Sequence, residues 1–193
     1  MARVLAYGRR MSESLADPSF MAHLDIPELR TTRLRLRAFR LDDLDDYAAI
    51  RADLEVARYI GGPLSRREAW DRLAVMIGQW ALRGYGAFAI EERASRRVIG
   101  HVGILHPDDW PEPEIAYTIG PAAWGEGYAM EAARAVRAWA FDSYAFPRLV
   151  SFIVPSNARS IRVAEKLGAA RDGTVTLRET VADVWAHRRP DSM

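Results

Sequence analysis

Hydrophobic and polar positions first fall into order at Arg33–Arg37, where Leu34 and Leu36 alternate with Arg33, Arg35 and Arg37. A period of two belongs to a strand with one buried face, and it predicts an edge strand whose arginines face water. The period then lengthens. "RLDDLDDYAAIRADLEVARYI" reads as one helix with Asp42 or Asp43 placing acid near its start, and Gly61-Gly62-Pro63 breaks it. Ser65 followed by Glu68 has capping-box spacing, so a second helix is predicted over "RREAWDRLAVMIGQWALRG". Trp70, Leu73, Ile77 and Trp80 share one face of it and are assigned to the core.

Runs of strand length follow in "AFAIEE", "RVIGHVGILH" and "EIAYTIG", with turns at Ala94-Ser95 and around "PDDWPEPE". Beyond them come a helix from about Tyr128, a strand "LVSFIV", a helix "SNARSIRVAEKLG" and a C-terminal stretch ending in the alternation of "VADVWAHR". The three sequential strands have short connections and are expected to be antiparallel; strands flanking the helices can be parallel. The fold class is therefore α/β, with one mixed sheet of about six to seven strands and about four flanking helices. Residues 1–23 carry little periodicity and read as an N-terminal extension; residues 24–193 form the domain.

Composition removes several chemistries. There is no cysteine in the 193 residues, hence no disulfide, thiolate metal site or cysteine nucleophile. The histidines His23, His101, His106 and His187 lack metal-ligand spacing, so no metal is expected. No Gly-x-Ser-x-Gly elbow is present, which leaves a serine hydrolase without its nucleophile in context. A net charge of +1 argues for no nucleic-acid partner, and no apolar run approaches the ~18–20 residues of a membrane span. The N-terminus has no continuous apolar segment of the secretory kind, so a cytoplasmic location is expected.

Gly125 and Gly127, in "AAWGEGYAMEA", stand immediately before a helix that glycine weakens by roughly 1 kcal/mol per residue. Two explanations stand: a turn that needs unusual backbone angles, or a ligand that approaches bare N–H groups. A helix start offers unpaired N–H groups and a dipole suited to an anion. The turn is neither a P-loop nor a complete G-x-G-x-x-G fingerprint.

The blocks "EIAYTIGPAAWGEGYAMEA" and "LVSFIVPSNARSIRVAEKLGA" resemble the GCN5-related N-acetyltransferase (GNAT) superfamily, most closely the branch of ribosomal-protein N-terminal acetyltransferases. The resemblance extends over about Leu29 to Pro190. Trp124-x-x-Gly127-x-Ala129 resembles the family's Gln/Arg-x-x-Gly-x-Gly/Ala pyrophosphate loop, departing from it at Trp124. Asn157 with Lys166-Leu167-Gly168 resembles the Asn…Lys-x-Gly-Phe block, with Ala169 in place of Phe. The resemblance implies a V-shaped splay between two central strands holding acetyl-CoA as co-substrate. Pantetheine would lie along Tyr117, Thr118 and Ile119 and against the Asn157 side chain. The pyrophosphate would lie on Trp124, Gly125, Glu126, Gly127, Tyr128, Ala129 and Met130. Asn157 also reads as a helix N-cap.

The implied activity is acetyl transfer to a primary amine by direct attack, the acceptor being a protein N-terminus or a small-molecule amine; a homodimer is compatible with the branch. Glu114 resembles the general-base glutamate of the histone acetyltransferase branch, and reads equally as a solvated strand-end carboxylate; Glu112 is the reserve. The family's acid tyrosine is replaced by Ala164, while Ser160 matches the serine suggested in the ribosomal-protein branch. Other readings are a longer acyl-CoA donor in the same fold, and a sensor module that binds acyl-CoA without catalysis.

Overall fold

A computed structural model describes residues 24–189; the N-terminal extension assigned to residues 1–23 lies outside them. The strand with alternating arginines is β2 (Leu34–Arg37), and a two-residue strand β1 (Leu29–Arg30) pairs with it. The long helix expected next is interrupted. A 3-10 turn (Leu41–Asp43) leads into α1 (Leu44–Ala52), and α2 (Leu54–Ala57) begins afresh. Asp53 causes the break: its backbone is extended, and its side chain accepts from the Val56 N–H at 2.9 Å, capping a new helix rather than continuing the old one.

Helix α3 (Arg66–Arg83) starts at the expected capping box. Ser65 Oγ accepts from the Glu68 N–H at 3.3 Å, and Glu68 Oε2 accepts from the Ser65 N–H at 2.8 Å. Ser65→Ala is expected to cost about 1 kcal/mol, read as a lower urea midpoint at unchanged slope. Leu73 and Trp80 are buried as expected, but Trp70 is 49% exposed. The buried stripe runs through Ala69, Leu73, Met76 and Trp80, so Ala69 takes the core-facing place at this end and Trp70 falls beside it.

The remaining elements are β3 (Ala87–Glu92), β4 (Val98–Leu105), β5 (Glu114–Ile119), α4 (Tyr128–Ser143), β6 (Arg148–Ile153), α5 (Ala158–Lys166), β7 (Ala170–Leu177) and β8 (Thr180–Arg188). They form one sheet in the order β1-β2-β3-β4-β5-β6-β8-β7. Among the described residues, eight strands and five α-helices exceed the sequence expectation. The surplus is β1, too short to show a period, the β7–β8 hairpin turning at Arg178 and Glu179, and the α1/α2 break.

Every neighbouring pair is antiparallel except β5–β6, which is parallel and meets only at Glu114↔Val150. One face of the sheet (Leu34, Leu36, Phe88, Ile90, Val102, Ile104) packs against Ala132, Ala133, Val136 and Ala140 of α4. The other face packs on α1 and α3 through Tyr47, Leu73, Met76, Ala87 and Ala89. Helix α5 covers the far end through Ile153, Ala164 and Trp185.

The arginines of β2 do not share the solvated fate expected of them. Arg37 is 6% exposed, bonded through Nε to Glu91 (2.6 Å) and through Nη1 and Nη2 to Asp43 (2.7 and 2.8 Å). Asp43 and Glu91 are themselves buried. The fork geometry of a guanidinium makes such a three-part network possible, and both carboxylates keep Arg37 charged well above its ordinary range, Asp43 most of all.

Candidate active site

The ladder between β4 and β5 decides which backbone groups of β5 are free. Gly120 N–H donates to Ile99 and Ile104 N–H donates to Gly86, so odd-numbered β4 residues face β5. Their partners are Glu114, Ala116 and Thr118. By alternation, Ile115, Tyr117 and Ile119 turn their N–H and C=O towards β6. Beyond Glu114↔Val150 no strand meets them.

Side chains occupy the closed end of this splay. Ser151 Oγ donates to the Ile115 carbonyl at 2.8 Å and lies 3.0 Å from His187 Nε2. Because Ser151 spends its proton on Ile115, the imidazole must donate, which places the His187 hydrogen on Nε2. Burial holds His187 down to about 4, so it stays neutral. Phe152 N–H, which an unbroken ladder would engage, instead donates to Glu114 Oε1 at 3.3 Å. At the other end Trp124 Nε1 donates to the Ile119 carbonyl at 2.7 Å, and Arg159 lies over the Trp124 ring at 4.0 Å. Between these plugs lies the free edge at Tyr117.

The free edge opens into a cleft of about 790 Å³, within the range of small-molecule and cofactor sites. Tyr117, Thr118, Ile119, Trp124, Gly125, Gly127, Tyr128, Ala129, Met130, Asn157 and Ser160 all line it. Glu55, Val56, Arg58, Tyr59 and Ile60, in and just after α2, line it too, and Tyr59 donates to the Ser156 carbonyl at 3.1 Å. Of the residues assigned to the donor, Glu126 alone is not among those lining the cleft; its carbonyl accepts from Arg33 Nη1 at 2.9 Å. Arg58, Arg159, Arg162 and Lys166 bring positive charge to the rim. Three of them recur at i, i+3 and i+7 on α5, a spacing readable in the sequence as one helical face.

Gly125 and Gly127 adopt φ of +86° and +79°. A Cβ on Gly125 would meet nothing within 4 Å, and one on Gly127 only Arg33 Nη2 at 3.7 Å. The first of the two explanations therefore holds within the protein itself: the turn needs left-handed backbone. The second remains compatible, since the space beside both glycines is open. Helices α3 and α5 begin with side-chain caps, from Ser65 and Asn157, whereas α4 begins at Gly127 with none. Its first-turn N–H groups have no intrahelical acceptor and border the cleft.

Asn157 Oδ1 accepts from the Ser160 N–H at 3.2 Å, so it is an N-cap. The cap uses its oxygen and leaves the Nδ2 donor for another partner. Ser160 also faces the cleft, and its carbonyl accepts from Tyr117 OH at 3.0 Å. Ala164 is fully buried against Ile153, Ala169 and Trp185, so that position offers nothing to the cleft.

Glu114 does not line the cleft with the others; it sits at the vertex of the splay and is partly buried. Burial pushes its carboxyl up to about 7, against the hydrogen bonds from Trp110 Nε1 (2.8 Å) and Phe152 N–H, which favour the charged form. Trp110 packs edge-on against Phe152 at 6.3 Å and carries Arg178 over its ring at 4.9 Å. The reserve carboxylate, Glu112, is held bidentately by Arg148 at 2.6 Å per contact, which removes it as a free base. Among the described residues no cluster of His, Asp and Glu could hold a metal, and no helix is long and apolar enough to cross a membrane.

Comparison with known proteins matches residues 33–170 to the family described as acetyltransferase (GNAT) domain. YkkB, an uncharacterised protein of Bacillus subtilis (strain 168), is 32% identical over 155 residues, covering 77% of this chain and 88% of its own length. The crystal structure of an acetyltransferase from Agrobacterium tumefaciens str. C58 superposes with a TM-score of 0.78 at 32% identity, covering 86% of this chain and 97% of that one. A ribosomal L7/L12 alpha-N-protein acetyltransferase in complex with coenzyme A shares the fold at 16% identity, with a TM-score of 0.70 over 84% and 98% of the two chains.

Proposed function

The chain belongs to the GNAT acetyltransferase family, and from that premise we propose that it moves an acetyl group from acetyl-CoA to a primary amine, a protein N-terminus or a small-molecule amine, in the cytoplasm. One observation carries the donor site: the unpaired β5 edge at Tyr117 leads, within one cleft, to a glycine turn and an uncapped helix start. Three classes of free donor and acceptor thus stand in sequence. The N–H groups of Gly125–Met130 suit a diphosphate, the Tyr117 backbone suits the amides of pantetheine, and Asn157 Nδ2 suits a pantetheine carbonyl. Bound acetyl-CoA would supply a thioester carbonyl as electrophile.

The chain's own groups handle protons. Glu114, with its carboxyl near 7, accepts the proton an ammonium must lose, directly or through a water. For a peptide α-amine that loss costs about 1 kcal/mol at pH 7, and for a lysine-like amine about 4–5. Ser160, which lines the cleft, serves as proton donor to the departing sulfur. Buried Ala164 leaves the tyrosine route without a side chain, and it is the one observation that favours the sensor reading.

Incubation with acetyl-CoA and a panel of amines, including peptides with free N-termini, tests the proposal. Release of CoA above the uncatalysed rate with at least one amine is the expected result. Calorimetric binding of CoA with no release for any amine or acyl-chain length would leave the sensor reading in its place.

A further inference from the structure

Arg33 reaches the glycine turn from the position just before β2, although the alternation that runs on into that strand puts it on a solvated face. Its Nη1 holds the Glu126 carbonyl at 2.9 Å, and its guanidinium lies 4.4 Å over the Tyr128 ring. Nε and Nη2 both meet Glu131 Oε2 at 2.7 Å. Glu131, in the first turn of α4, is gripped further: its Oε1 accepts from Thr31 Oγ1 (2.6 Å) and the Arg33 N–H (2.9 Å). Glu92 accepts from Tyr128 OH at 2.6 Å. Glu92 and Glu131 therefore set two carboxylates beside the turn whose N–H groups face the cleft, and Glu126 adds a third acidic residue within the turn itself. An anion arriving there would meet like charge unless a cation offset it. Arg33 is placed to do so, and its side chain remains 40% exposed.

We propose that Arg33 is a positioning residue of the donor site: it fixes the Glu126–Gly127 peptide and offsets Glu131, so that the turn admits a diphosphate. This rests on the acetyl-CoA reading above. The role belongs to the diphosphate, so it should appear only with donors that carry one. It also gives opposite signs to the two members of the ion pair: losing the cation weakens donor binding, and losing the anion does not.

The experiment compares acetyl-CoA with S-acetylpantetheine, which carries the same thioester without the diphosphate. Arg33→Gln should raise KM for acetyl-CoA about tenfold with kcat within about twofold. Its kcat/KM with S-acetylpantetheine should stay within about twofold of wild type, and Arg33→Lys should restore part of the loss. Calorimetric Kd for CoA reports the same shift without any acceptor. Glu131→Gln keeps the acceptors for Thr31 and the Arg33 N–H but drops the charge, and should leave KM for acetyl-CoA unchanged or lower. Equal losses with both donors, an unchanged acetyl-CoA KM in Arg33→Gln, or a Glu131→Gln loss as large as that of Arg33→Gln would each overturn the proposal. A wild-type protein that binds no CoA overturns the donor reading itself, and this inference with it.

Discussion

Glu114→Gln is expected to lower kcat by roughly 10²–10⁴-fold while leaving the affinity for acetyl-CoA nearly unchanged. Gln keeps the size of the side chain and can accept from Trp110 Nε1 or the Phe152 N–H, the two contacts that hold Glu114. It cannot take a proton. Wild-type kcat/KM should rise with pH through an ionisation near 7, the value to which burial lifts this carboxyl. The variant should lack that limb and regain rate at high pH, where more of the amine is already neutral. Peptide α-amines should suffer less than lysine-like amines.

The same substitution supplies its own control for folding. A carboxyl with a higher pKa folded than unfolded binds more protons in the folded state between the two values. Wild-type stability should therefore fall as pH rises from about 4.5 to about 7, and the Gln variant should escape that fall. A variant that is inactive yet more stable than wild type at pH 8 would separate chemistry from unfolding. Near-wild-type kcat for both amine classes at pH 7 would take Glu114 out of the mechanism and leave a water chain as the base.

Arg37→Met should destabilise the fold by about 3–5 kcal/mol, lowering Tm by roughly 10 °C. The substitution preserves much of the apolar stem but leaves Asp43 and Glu91, both buried, without their shared cation. Adding Asp43→Asn and Glu91→Gln should recover much of the loss, because it removes the uncompensated charge rather than the contact. A loss below 1 kcal/mol at pH 7 would mean that water reaches the network.

Arg37 also marks the limit of reading this chain as a pattern. A period of two says which face a residue takes, and Leu34 and Leu36 are indeed buried; it does not say what waits on the other face. Asp43 arrives from the following turn and Glu91 from β3, so the fate of Arg37 depends on contacts distant in sequence. Arg33 was opaque for the same reason. Its partner Glu131 lies on α4. Local signals fared better. The Ser65 capping box and the strands β3 and β4 were legible because each is written within a few residues. Asp53 sits inside a run of good helix formers, which hides the cap it supplies to α2.

The candidate cleft was legible where backbone conformation demands a residue type. Gly125 and Gly127 have left-handed angles that other residues rarely adopt, and Asn157 caps a helix. The vertex of the splay was not. Ser151, His187 and Trp110 do ordinary work by type, sealing a carbonyl, backing a hydroxyl and holding a carboxylate. Their meaning comes from the place where two strands part, and no short stretch of sequence contains both strands.

That parting has a mechanical consequence. β1 to β5 form one antiparallel block and β6, β8 and β7 another, and one backbone bridge with a few side-chain hydrogen bonds at the vertex stitches the two. The seam is the line along which the sheet should open first under load or heat. A molecule laid along the free edge of β5 stands in for the missing rungs. Its binding would tie the two blocks into one cooperative unit, so that a small ligand governs whether the protein melts in two stages or in one.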